Sequence, residues 1–232
     1  MTGALFRLLL LAGLFLLLFA VAEWLHRKQN MAAEHSRKLV HAGTGLLTLL
    51  FPLWLQQGWQ VALLCGSFLI LLFVSKRFRF LNSIHGVQRP THGSLLYPVI
   101  VAIVFYYYLY SKDHYRTFEP HYYFYMPVLV MALADPAAAL AGRQYQRKKG
   151  TAPGKTHVGS FIFFCVALLV CFALIILFKQ AVLSLLFFLL LVSCLSLAAT
   201  GAEACSRRGW DNFLIPLVLL IVQTLFEQLR NG

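Results

Sequence analysis

Eight stretches of the sequence, about residues 4–22, 39–55, 60–75, 94–110, 121–141, 159–178, 181–201 and 212–228, are apolar with few interruptions. Each is close to the roughly 20 residues that carry a helix across a bilayer's hydrocarbon core. They are runs rather than periodic stripes, so they read as membrane spans, not as single faces of soluble helices. In lipid, only helices or closed barrels satisfy every backbone N–H and C=O. A barrel would be written in alternating segments of about ten residues, a pattern this sequence does not have. The expected fold is all-α: a polytopic integral-membrane helical bundle of about eight transmembrane helices, with residues 1–232 forming one domain. The first run has a single Arg, Arg7, near its start and no convincing small-residue cleavage site, so it is read as a span and not a signal peptide.

Charge orients the bundle. Fifteen of the 20 Lys and Arg fall in the links after the first, third, fifth and seventh runs, and five fall elsewhere. The positive-inside rule therefore puts those four links in the cytosol and both termini on the other side. A net charge of +12 would suggest a nucleic-acid partner in a soluble protein. Here the charge is confined to short loops, so it points to orientation, anionic lipid and phosphate ligands, and no nucleic acid is expected. Four of the five Cys lie inside apolar runs and none forms a CxxC pair, which argues against disulfides and a zinc site. The eight tyrosines between Tyr106 and Tyr125 are read as an interfacial aromatic belt.

Carboxylates number only eight. Asp113, Glu119 and Glu227 fall on the outer side; Glu23, Glu34, Asp135, Glu203 and Asp211 fall on the cytosolic side. An ionisable group at membrane depth is costly, so its default explanation is functional unless it sits at the interface, as Glu23 beside Trp24 is expected to. On a helix, Glu34, Lys38, His41 and Gly45 share a face, with Glu34 and Lys38 placed to pair. Arg37 and Lys38 suit a phosphate, and His41 suits acid/base work. Arg89 and His92 flank the turn before Gly93 and can also reach phosphate.

The stretch from Asp135 to Ser160 is the densest. Asp135 precedes Pro136, which is expected to break the helix and free carbonyls for a cation. Ala139 and Gly142 continue a small-residue stripe that admits a neighbouring helix, followed by Arg143. Gly154-Lys155-Thr156 looks like the tail of a phosphate-binding loop, but position 149 is Lys where the upstream Gly is required, and no strand precedes it. Lys155 and the helix start at Gly159-Ser160 can still bind phosphate through charge and free N–H groups. Asp135 reads as a ligand for a Mg²⁺ ion bridging nucleotide phosphates, and Glu203 and Asp211 can add oxygen ligands from facing helices. Asp211 or Asn212 can equally be a helix cap.

Taken in order, several motifs resemble those of the CTP-dependent lipid-alcohol kinases, the group of dolichol kinase, phytol kinase and yeast-type diacylglycerol kinase. They are Arg37-Lys38-Leu39-Val40-His41, Gly93-Ser94-Leu95-Leu96-Tyr97-Pro98, Asp135 with Ala138 and Gly142-Arg143, Lys155-Thr156 with Gly159-Ser160, and Glu203 with Asp211-Asn212. The resemblance covers about residues 34–216, with Ala134 standing where such proteins often carry Gly. It implies transfer of the γ-phosphoryl of CTP to the hydroxyl of a membrane-embedded alcohol (phytol, polyprenol or diacylglycerol), with a divalent cation such as Mg²⁺. By position, Asp135, His41 and Lys155 would be catalytic. Arg37, Lys38, Arg89, Gly142, Arg143, Thr156, Gly159, Ser160 and Asn212 would bind nucleotide or phosphate, and Asp135, Glu203 and Asp211 the metal. The implied setting is a bacterial inner membrane or an organelle membrane, with the site facing the cytosol. Two rivals stay open: a CTP:phosphatidate cytidylyltransferase, and a small non-enzymatic transporter or scaffold.

Overall fold

The computed structural model describes residues 2–29, 31–78, 80–86, 91–149 and 154–231. Its helices are α1 (Thr2–Lys28), α2 (Ala33–Thr48), α3 (Phe51–Trp54), α4 (Gly58–Phe78), α5 (Asn82–His85), α6 (Gly93–His114), α7 (Pro120–Lys149), α8 (His157–Phe178), α9 (Leu185–Cys205) and α10 (Asp211–Asn231). Seven of them, α1, α4 and α6 to α10, are long and apolar enough to cross a membrane.

The remaining expected span, 39–55, is made by α2 and α3. Over its 16 residues α2 carries Glu34, Arg37 and Lys38, so it falls short in both length and apolarity. It buries Lys38, Val40, His41, Thr44 and Thr48 and leaves Leu39 and Leu46 outside. The pair nonetheless makes a full crossing. Arg7, near the start of α1, donates to the Trp54 carbonyl at the end of α3 (3.2 Å). Arg27, near the end of α1, donates to the Phe80 carbonyl just beyond α4 (3.3 Å). The end of α3 is therefore level with the start of α1, and the end of α4 with its end. The described segments thus cross eight times, and the chain begins and finishes at the same end of the bundle. The links rich in Lys and Arg lie at the other, basic end.

Two expectations need correcting. Pro136 does not break its helix: α7 runs through Pro127 and Pro136 for 30 residues. Within a bundle, neighbours and local adjustment can compensate the hydrogen bond that proline removes. The tyrosines do not form a simple belt either. Tyr106 and Tyr110 face outward, but Tyr108, Tyr122 and Tyr123 are buried. For Tyr123 the reason is Glu227, which is buried at 2% exposure. A buried carboxylate needs donors. Tyr123 Oη supplies one and Thr117 Oγ1 another, the latter at 2.8 Å. All five cysteines are free.

The small residues act where helices must meet closely. A Cβ on Gly159 would stand 3.1 Å from the Ala138 carbonyl, and one on Gly142 would stand 2.9 Å from Thr156 Oγ1. Close contact of α7 with the start of α8 is what brings Asp135 and Lys155 to one end of the bundle. The α9–α10 link is stitched to the start of α6 in a similar way. His92 N donates to the Arg208 carbonyl (2.9 Å), and Asn212 Nδ2 donates to the Gly93 carbonyl (3.1 Å). Gly209 takes φ +86°, a conformation open to glycine at little cost.

Candidate active site

At the basic end, α2, α7, α8, α9 and the link into α10 surround one open cleft. Seven Lys or Arg line it (Arg37, Lys38, Arg143, Arg147, Lys155, Arg207 and Arg208), together with four carboxylates (Glu34, Asp135, Glu203 and Asp211). Gly142, Thr156, Gly159 and Ser160 complete the expected set on its walls. His41 and Asn212 stand behind the cleft, at the head of a second, apolar cavity that shares Arg37 and Thr91 with it. Arg89 lies outside the described residues.

The charges are organised as pairs. Lys38 Nζ meets Asp135 Oδ2 at 2.6 Å, with both residues buried. The expected Glu34–Lys38 pair therefore gives way to a contact between helices. Glu34 instead lies 3.6 Å from both Arg37 and Arg143. The shift follows from burial: Asp135 is 6% exposed and needs a countercharge, whereas Glu34 sits at the cleft mouth and water can solvate it. His41 Nε2 donates to the Met131 carbonyl (3.1 Å) and lies 3.7 Å from Asp135 Oδ2. This leaves Nδ1 as the acceptor nitrogen of the neutral ring.

Across the cleft, Lys155 bonds both the side chain and the carbonyl of Glu203, reaches Ser206 Oγ at 3.2 Å, and lies 3.9 Å from Asp211 Oδ2. Ser160 Oγ donates to Glu203 Oε2 (3.2 Å). The first turn of α8 is less available than expected. Thr156 caps it, accepting from Gly159 N through Oγ1 (3.0 Å) and from Ser160 N through its carbonyl (3.0 Å). Those two N–H groups are already satisfied, so any phosphate grip here falls to Lys155 and the Ser160 hydroxyl.

Sequence reasoning passed over Ser206, Gly209 and the pair Arg207-Arg208. In the sequence the two arginines count only as part of the charge of the link after the seventh run. In the structure they line the cleft without an ion-pair partner among the described residues.

The donors around Lys155 suit a hard cation. They are carboxylate and hydroxyl oxygens, and two carboxylates flank one ammonium. Among the described residues no three His, Cys, Asp or Glu side chains form a metal-holding group by themselves. Mg²⁺ characteristically takes one or two carboxylates and completes its shell with phosphate oxygens and water.

The chain is 28% identical over 201 residues to phytol kinase of Synechocystis sp. (strain ATCC 27184 / PCC 6803 / Kazusa), covering 84% of this chain and 81% of that protein. No family model matches the chain. No solved structure matches it either.

Proposed function

We propose that this chain, as a member of the lipid-alcohol kinase family, phosphorylates the hydroxyl of a membrane-embedded alcohol, with CTP as donor, at the cytosolic membrane face. The observation that carries the reading is the joining of two unlike spaces. A cleft with seven basic side chains and four carboxylates shares a wall with an apolar cavity inside the bundle. The first suits a nucleoside triphosphate and the second the acceptor's chain. The similarity to phytol kinase supports the acceptor class.

Phosphoryl transfer asks little covalent chemistry of the protein; positioning and charge neutralisation carry most of it. Lys38 and Lys155, with Arg37 and Arg143, provide cations for the phosphate oxygens, and the arginines offer bidentate geometry. Glu203 and Asp211, which flank Lys155, are the residues that would hold Mg²⁺, with Asp135 facing them from across the cleft. Bound there, the ion would neutralise charge on the β- and γ-phosphate oxygens. The pairs Lys38–Asp135 and Lys155–Glu203 keep each carboxylate neutralised until the nucleotide arrives. His41 sits where the two spaces meet, and its Nδ1 takes the proton of the alcohol. The alcohol oxygen bonds to the γ-phosphorus as the bond to the bridging oxygen breaks, releasing CDP.

The test uses purified full-length chain in lipid nanodiscs, with γ-labelled CTP or ATP, against phytol, a long polyprenol and diacylglycerol. The expected products are CDP and a labelled lipid monophosphate. Pyrophosphate and a CDP-lipid would instead identify a cytidylyltransferase. Failure to label any alcohol would refute the kinase reading.

A further inference from the structure

The apolar cavity beside the cleft has a definite shape and one polar end. Phe15 and Phe19 of α1, Val40 and Thr44 of α2, Phe68 of α4 and Val101 of α6 form its walls. Its head is set by Arg37, His41, Ser94 and Asn212, and its floor by Thr48, Phe51, Leu64 and Cys65. From Arg37 to Thr48 along α2 the depth is roughly 16 Å at 1.5 Å per residue, about half of a ~30 Å hydrocarbon layer. Two polar atoms at the head end, Arg37 Nε and Ser94 Oγ, are shielded from solvent with no hydrogen-bond partner among the described residues. A buried donor left unpaired costs about 1–3 kcal/mol, so such atoms mark a place where a polar ligand group completes the structure.

We propose that this cavity is the tail site of the acceptor, and that it admits one isoprenoid-like chain whose hydroxyl sits between Arg37 Nε, Ser94 Oγ and His41. The proposal deepens the lipid-alcohol kinase reading and rests on it for the identity of the occupant. The cavity is a single slot walled by three phenylalanines of α1 and α4. A diacylglycerol would bring two chains side by side and leave one of them outside. The cavity also explains why the aromatic residues on these inner helix faces are not lipid anchors: they form its lining.

The experiment has two arms. In the first, phytol carrying a photoreactive diazirine at the tail end is irradiated with the full-length chain in nanodiscs without nucleotide. Peptides containing Phe15, Cys65 or Phe68 should be labelled. Unlabelled phytol should compete and diacylglycerol should not. Labelling confined to outward residues such as Leu63, or competed equally by diacylglycerol, overturns the proposal. In the second arm, Cys65→Trp raises the floor of the cavity. Turnover of phytol should fall by about tenfold or more relative to the shorter geraniol, the scale on which a filled pocket discriminates chains. Leu63→Trp, two residues away and 58% exposed, should leave the preference unchanged. An unchanged preference in Cys65→Trp overturns the tail site even if phytol is phosphorylated. Competed labelling in a chain that phosphorylates no alcohol would leave the tail site standing and remove the kinase reading.

Discussion

Asp135 and Lys38 form the most buried ion pair of the cleft, 2.6 Å apart with each side chain 9% exposed. Removing one partner strands the other charge in a site that water barely reaches, a change that costs about 3–5 kcal/mol in buried pairs. Asp135→Asn keeps the shape and leaves the Lys38 ammonium facing a neutral amide. The cleft opens on one side and can let that ammonium turn toward water, so the lower figure, about 3 kcal/mol, is the better expectation. For a chain of this length each kcal/mol moves the unfolding midpoint by about 2–4 °C, so Asp135→Asn should unfold about 6–12 °C below the parent. Lys38→Met should lose less, because His41, 3.7 Å from Asp135, can take a proton and replace the missing charge. The double variant Lys38→Met/Asp135→Asn removes both ions and should recover to within about 1 kcal/mol of the parent, since replacing a buried pair by neutral groups is often neutral. The assay is retention of a monodisperse elution peak after heating the full-length chain in detergent. The same double variant should form no lipid phosphate, which separates loss of chemistry from loss of fold. The reasoning fails if Asp135→Asn melts with the parent, or if the double variant is no more stable than Asp135→Asn.

Three further outcomes are expected. Lys155→Ala removes the cation shared by Glu203 and Asp211, and a lost charge-assisted bond of about 1.5–3 kcal/mol should raise the KM for nucleotide at least about tenfold in steady-state assays. In Gly209→Ala a Cβ would stand 2.5 Å from Gly93 N at φ +86°, so the α9–α10 link must shift; thermal unfolding should show a loss of about 2 kcal/mol or more. Glu227→Ala should destabilise by about 1–3 kcal/mol by stranding Tyr123 and Thr117, yet leave kcat intact because it sits at the end of the bundle away from the cleft. An equal loss of kcat would contradict that placement.

The spans were legible because lipid forces length and apolarity on every helix that faces it. The alternation of Lys and Arg between links was legible for the same reason, and the basic links do share one end of the bundle. What resisted reading was pairing across helices. Lys38 and Glu34 sit one turn apart in sequence, but the partner of Lys38 is 97 residues away. Only the packing of α2 against α7 makes that choice. Thr156 was read as part of a phosphate loop, but its hydroxyl is spent on the Gly159 N–H. The tyrosines of α6 and α7 read as a belt because composition does not tell an interface from an interior that houses a carboxylate. The apolar cavity was invisible for a similar reason: its Phe and Leu are the same residues that elsewhere face lipid.

The uninterrupted course of α7 has a consequence for direction. Its 30 residues amount to about 45 Å, well beyond a ~30 Å hydrocarbon layer. Counted from its start, Asp135 comes after about 22 Å, near the middle of the helix, so in the proposed reaction the phosphorylated hydroxyl would lie well short of the helix's basic end. A neutral alcohol can rest at that depth at little cost. The phosphate ester made from it cannot, once the lysines return to their carboxylates, because a doubly charged group in hydrocarbon is strongly disfavoured. In the proposed reaction the product would therefore rise toward the headgroups as a downhill step. The depth of one carboxylate on one unbroken helix would then act as a ratchet, letting uncharged chains in and sending charged ones out.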